Sequence, residues 1–182
     1  MQIADMLGAK IIVFHNWYFP TLRYHHGIPR WVERRVPVWR DLARNAEKYG
    51  LTLVLENVWE PDPAAQMALL DAVNSPSLKA CLDTGHAHMT AKDPALFDSE
   101  KRAEWGVIDW IHLLGARLVY VHAHNNSGYH DDHWAFDKGT LDMAPVLRTL
   151  ASLAVPPRVC LELRNFEDQI KSLALVDGAL KG

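Results

Sequence analysis

Cysteine is scarce in this chain, with two among 182 residues. Cys81 and Cys160 stand far apart in apolar runs, and neither belongs to a Cys-x-x-Cys pair. That excludes a disulfide scaffold and a thiolate-built zinc ribbon, and the two read as buried thiols of a reducing cytoplasm. No stretch approaches the roughly 18 to 20 uncharged apolar residues of a spanning helix. The start, Met1-Gln2-Ile3-Ala4-Asp5, lacks the basic and apolar regions of a secretory leader. An excess of basic charge is missing too: 19 Lys and Arg face 22 Asp and Glu, for a net charge of −3. Nucleic acid and anionic membrane are therefore disfavoured as partners. Low-complexity segments, linkers and internal repeats are absent, which points to one domain over residues 1–182.

What is present is a repeated unit: a short apolar run, a polar or aromatic loop, then a helical stretch. The strand candidates are residues 10–15, 51–56, 78–83, 117–122 and 158–162. Each is nearly continuous in apolar residues, as a parallel strand covered on both faces must be. Helical patterns fall at Val38 to Tyr49, Ala64 to Asn74, Trp105 to Gly115, Leu141 to Leu153 and Phe166 to Leu180. Gly50 and Gly115 sit where helix C-caps belong. Strands alternating with helices predict an α/β fold with a parallel sheet.

The ends of these strands carry the chemistry. They are His15, Glu56, Asp83, His122 and Glu162, with His86 three residues after Asp83. In a parallel barrel all strand C-termini open on one face, so these residues converge. Buried carboxylates need a partner, and this set of oxygens and imidazoles calls for a divalent cation: Mn²⁺, Co²⁺, Mg²⁺ or Zn²⁺. A second polar group, His122 to His133, follows the fourth strand, and Asp131 and His133 could chelate a further ion with His86. The loop Asn16 to His26 and Trp59 add Trp17, Trp59 and Arg23, aromatic faces for sugar C–H groups and a cation for a phosphate or carboxylate.

Several segments occur in a telling order: Leu55-Glu56-Asn57, Leu82-Asp83-Thr84-Gly85-His86-Ala87, Val121-His122-Ala123-His124-Asn125-Asn126, Asp131-Asp132-His133, Gly139-Thr140-Leu141-Asp142 and Leu161-Glu162-Leu163. Leu7 to His15 precedes them as a helix-to-strand approach to a histidine. As an ordered series the chain resembles the xylose-isomerase-like TIM barrel superfamily. That superfamily holds sugar and sugar-phosphate isomerases and epimerases and also zinc-dependent apurinic-site endonucleases. The resemblance implies that Glu56, Asp83, His122 and Glu162 are the central metal ligands. It makes His86 a substrate contact in the sugar branch, and His15, His86, Asp131 and His133 additional ligands in the endonuclease branch. Two departures stand out: Asn125 replaces the usual aspartate, and Asp137-Lys138-Gly139 replaces Gly-Glu-Gly.

The resulting expectation is a cytoplasmic, divalent-metal-dependent sugar or sugar-phosphate isomerase or epimerase. Its reaction is proton transfer beside a carbonyl through a metal-stabilised enediolate, with Glu56 and Glu162 as acid and base and Trp17, Arg23, Trp59 and His86 on the substrate. Competing expectations are a zinc phosphodiesterase of the endonuclease kind and an inactive metal-binding fragment. The aromatic loop makes a homo-oligomer plausible. Length supplies a last expectation: a closed eight-stranded barrel takes about 250 residues. Five strands in 182 residues read as a (β/α)8 barrel lacking its first three units, with Met1 internal to the parent.

Overall fold

The computed structural model describes residues 1–18, 27–60, 62–92 and 105–181. A short helix α1 (Gln2–Met6) leads into β1 (Ile11–His15), followed by α2 (Gly27–Lys48) and β2 (Thr52–Glu56). Next come α3 (Ala64–Val73), β3 (Leu78–Asp83) and α4 (Thr84–Lys92), then α5 (Val107–Leu114), which continues in a 3₁₀ turn, Gly115–Arg117. The chain closes with β4 (Leu118–Ala123), α6 (Met143–Ser152), β5 (Arg158–Leu161) and α7 (Phe166–Lys181). All five strands pair in parallel, in sequence order. This is the α/β arrangement expected from the alternating pattern.

The strands alternate two environments. Leu53, Leu55, Ala80, Leu82, Val121 and Ala123 face the helical layer and join one cluster with Trp39, Ala43 and Ala46 of α2, Leu69 and Val73 of α3, Trp110, Ile111 and Leu114 of α5, and Val146 and Leu150 of α6. Each fully buried large side chain contributes about 1.5–3 kcal/mol through lost apolar hydration. With a period of two, the opposite face carries Val13, Val54, Cys81, Tyr120 and Cys160, and above them His15, Glu56, Asp83, His122 and Glu162. Pairing is staggered: Glu56 lies opposite Cys81, and His122 opposite Cys160. Such stagger is what a curving parallel sheet requires.

Three expectations change. Helix α2 begins at Gly27, eleven residues ahead of the Val38 start read from the sequence, and runs through Pro37 to Lys48. Pro37 removes a hydrogen bond to the carbonyl of Glu33, but Glu33 is exposed and water can serve that carbonyl. Helix α4 has no counterpart among the helical patterns of the sequence, since Gly85 is a poor helix former. Its first turn is capped by the strand-end carboxylate, Asp83 Oδ1 accepting from the N–H of His86 at 2.7 Å. Cys160, expected to be buried, is only half-buried, whereas Cys81 is enclosed and its burial pushes the thiol far above the usual range.

Candidate metal centre and active site

Four side chains from four strand ends meet at the C-terminal side of the sheet. Glu56, Asp83, His122 and Glu162 each offer a ligand atom, and these atoms lie within 4.8 Å of one another. His122 Nδ1 stands 3.1 Å from Glu56 Oε1, 3.2 Å from Glu162 Oε2 and 4.0 Å from Asp83 Oδ2. Burial works against charge on His122, but the two glutamates carry its pKa up to about 10. Three carboxylates thus converge on one imidazole. In the absence of a cation, a proton on His122 offsets their repulsion.

Asp83 supplies the test of fit for a cation. Its Oδ1 accepts from the His86 N–H and lies 3.0 Å from His124 Nε2, while the fully buried Oδ2 has no hydrogen-bond partner among the described residues. An unpartnered anionic oxygen in a buried site costs several kcal/mol. Glu56, Asp83, His122 and Glu162 could hold a divalent ion, which would relieve that cost, and the oxygen-and-imidazole donor set suits one. Burial raises the carboxyl of Asp83, yet His124 and His86 beside it hold it below the usual carboxylate range. The donor oxygens are therefore ready to ligate.

The additional residues gather beside this centre. His86 Nδ1 donates to the carbonyl of Asn57 at 2.9 Å, which leaves Nε2 facing Asp131 Oδ2 at 3.4 Å. Burial opposes its charge, but Asp131, Asp83 and Glu56 raise its pKa to about 9. His133 Nδ1 donates to the Glu162 carbonyl at 2.8 Å, and its Nε2 is 3.2 Å from Asp131 Oδ2. His86 in turn holds the Asp131 carboxyl well below the usual range. His15 is exposed at the rim, with Nε2 3.7 Å from Glu56 Oε2. His133 adopts a left-handed backbone at φ 52°, a conformation uncommon for non-glycine residues.

The cavity over the centre measures about 370 Å³ and is polar on one side, with His15, Glu56, His86, Asp131, His133 and Glu162. Val58, Trp59 and Met89 form its apolar wall. Trp59, expected from the sequence beside the mouth, lines this cavity. Trp17 is 59% exposed, and its carbonyl accepts from Trp31 Nε1 at 3.4 Å, outside the cavity lining. Arg23 lies outside the described residues.

Both departures in the loop after β4 have a structural account. Asn125 Nδ2 donates to the carbonyls of Phe136 and Leu141, each at 2.8 Å, and its Oδ1 accepts from Asn126 and Leu141 at 2.9 and 3.1 Å. An amide can make this four-way clamp, whereas a carboxylate would lack the two donors. Lys138 pairs with Asp168 at 2.6 Å and Asp137 with Lys171 at 2.5 Å, tying the loop to α7.

Two residues of the centre escaped the sequence reading. His124, which has no exposed surface, binds Asp83 and stacks on His133 with ring centroids 4.1 Å apart. It follows His122 by two positions, just past the end of β4, and that spacing is its available signal in the sequence. Asn57, next to Glu56, carries no signal of its role in the sequence; its side chain bridges to the backbone of Asp83.

A parallel α/β sheet with acids and imidazoles grouped at its strand C-termini is a barrel-type architecture, and here that group could hold a metal ion. The chain belongs to the xylose isomerase-like TIM barrel family, which it matches over residues 1–177. An uncharacterised protein of Methanocaldococcus jannaschii is 26% identical over 175 residues, covering 93% of this chain and 56% of that protein. The chain thus spans little more than half the length of this curated relative. A solved D-tagatose 3-epimerase-like protein is 25% identical with a TM-score of 0.74, over 99% of this chain and 65% of that one. A zinc-soaked structure of a protein from Thermus thermophilus is 27% identical with a TM-score of 0.69, over 98% of this chain and 64% of that one. Sugar epimerases are among the structural neighbours of this chain. No helix of the described residues is long and apolar enough to cross a membrane.

Proposed function

We propose that the chain carries the catalytic centre of a divalent-metal-dependent sugar or sugar-phosphate isomerase or epimerase. The observation that carries this reading is the flanking of His122 by Glu56 at 3.1 Å and Glu162 at 3.2 Å, beside the unpartnered Asp83 Oδ2. A cation held by Glu56, Asp83, His122 and Glu162 would polarise a substrate carbonyl and neutralise charge growing on its oxygen. Glu56 and Glu162 come from strands on opposite sides of the group, so they can address a substrate carbon from two directions. One carboxylate takes the proton from the carbon beside the carbonyl, and the bonding pair moves toward the carbonyl oxygen. The other carboxyl returns a proton to the same carbon for epimerisation, or to its neighbour for isomerisation. His86, fixed by Asn57, orients a hydroxyl through Nε2, and the wall of Val58, Trp59 and Met89 takes the C–H face of a sugar.

Solvent exchange tests this reading. Incubation of candidate ketoses and their phosphates with the cation-loaded chain in D₂O is expected to exchange one substrate C–H. In Glu162→Gln that exchange is expected to fall at least 100-fold while the cation is retained. Wild-type exchange in the variant would remove Glu162 from the acid–base pair.

A second reading draws on Asp131, whose Oδ2 faces both His86 Nε2 at 3.4 Å and His133 Nε2 at 3.2 Å, a group able to take a further cation. Two or more zinc ions per chain, with cleavage of abasic-site DNA, would favour a phosphodiesterase. The net charge of −3 opposes DNA binding. A third reading is metal binding without turnover, for a chain that spans 56% of a relative. One bound cation without any C–H exchange would select it.

A further inference from the structure

Resting on the metal-centre reading, we propose that His124 is a positioning residue: its hydrogen bond to Asp83 Oδ1 reserves Oδ2 for the cation, and His124 is not itself a ligand.

His124 is locked from several sides. Thr84 Oγ1 donates to the His124 carbonyl at 2.8 Å and accepts from its N–H at 3.1 Å. The ring occupies space that only a glycine leaves open, since a Cβ on Gly85 would stand 1.9 Å from His124 Cε1. Nε2 points at Asp83 Oδ1 at 3.0 Å, and Nδ1 faces the Asn125 carbonyl at 3.4 Å. Both ring nitrogens thus look at oxygen acceptors.

Asp83 Oδ1 is consequently committed twice, to His124 and to the His86 N–H, whereas Oδ2 has no hydrogen-bond partner among the described residues and lies on the side of His122. The carboxylate cannot rotate to offer Oδ1 without breaking both bonds.

One grouping suggests the opposite role, because nitrogens of His124 and His133 and an oxygen of Glu162 fall within 4.8 Å of one another. Ring geometry opposes it. His124 and His133 are stacked at 4.1 Å with 16° between their planes. Imidazole lone pairs lie in the ring plane, so two stacked rings direct them side by side rather than at one ion between the faces. His133 also has Nδ1 committed to the Glu162 carbonyl at 2.8 Å. The stack makes His124 a rigid floor beneath the Asp131–His133 group.

The test reads the cation, independent of turnover. In the ¹⁵N-histidine-labelled wild type loaded with ¹¹³Cd²⁺, His122 is expected to show scalar coupling to cadmium and His124 none. Cobalt affinity, measured by chelator competition, is expected to drop 10–100-fold in His124→Leu with an altered d–d absorption spectrum. His124→Gln, whose amide can reach Asp83, is expected to recover most of both. Cadmium coupling to His124 would overturn the proposal, as would wild-type cobalt affinity and spectrum in a folded His124→Leu. The cadmium experiment needs no variant and decides the case if His124→Leu fails to fold. A wild-type chain that takes up neither cadmium nor cobalt would instead remove the metal-centre reading and this inference with it.

Discussion

Asn57 and Asp83 exchange two hydrogen bonds across the ends of β2 and β3: Asn57 Nδ2 donates to the Asp83 carbonyl at 3.1 Å, and the Asp83 N–H donates to Asn57 Oδ1 at 2.8 Å. The side chain acts as one more rung of the ladder, placed where the two strands stop pairing. It joins the residue after Glu56 to Asp83 itself, so two expected cation ligands share one brace. Replacing Asn57 by Ala strands a buried N–H and C=O of Asp83 and should cost about 3 kcal/mol. Urea unfolding would read this as a lower midpoint with an unchanged slope. A stability change within about 0.5 kcal/mol would show the brace to be dispensable.

Glu60 gives a pH signature. Its carboxyl has no exposed surface, and burial raises its pKa from 4.5 to about 7, although Oε2 accepts from the N–H groups of Val58 and Trp59 at 2.8 and 3.0 Å. Because the folded state holds this proton more tightly, it binds more protons than the unfolded chain between those two values. Glu60 therefore destabilises the fold progressively as pH rises from about 4.5 to about 7. The full cost is present above that window and amounts to a few kcal/mol. Glu60→Gln keeps an acceptor for both N–H groups without the charge. It should unfold at a higher temperature than wild type at pH 8 and show a smaller difference at pH 4.5. Equal melting temperatures at both pH values would contradict the assignment.

Cation binding should be visible as heat resistance and as released protons. A cation at 100 times its dissociation constant adds about 2.7 kcal/mol, which for a chain of this size is a rise of roughly 5–10 °C, reversed by a chelator. His122 carries a proton in the cation-free state, with a pKa raised to about 10 by the two glutamates, so binding must expel it. A weakly buffered solution at pH 7.5 should acidify on titration with Co²⁺. Glu56→Gln with Glu162→Gln should abolish both responses.

Gly139 tests the clamp of Asn125. A Cβ at Gly139 would stand 2.0 Å from Asn125 Oδ1 and 2.6 Å from the Asn126 carbonyl oxygen, and the latter is backbone that cannot swing aside. Gly139→Ala should cost about 1–3 kcal/mol and accelerate amide exchange at Leu141, whose N–H donates to Asn125 Oδ1. Wild-type protection at Leu141 would show that the loop relaxes without loss.

The strands and the four central residues were legible because the physics that places them is short-range. A continuous apolar run such as Leu51 to Leu55 announces a parallel strand, and a carboxylate at its end announces the face where strands open. Helix α4 was hidden because its N-cap is Asp83, a residue already read as a ligand, and because Gly85 resembles a turn. Gly85 has another cause, the His124 ring that crosses above it. That crossing joins residues 39 positions apart, and no local pattern encodes it. The role of Asn125 was obscured for the same reason, since its partners lie at Phe136 and Leu141 and only the folded loop brings them within reach.

The two thiols differ in what can reach them, and that difference makes a natural clock. Cys81 has no exposed surface and lies within the sheet, opposite both Glu56 on β2 and Tyr120 on β4. Cys160 is half-buried on β5, two residues ahead of Glu162. A maleimide should therefore mark Cys160 promptly and reach Cys81 only when neighbouring strands separate. The delay between the two events times how often the floor of the centre opens.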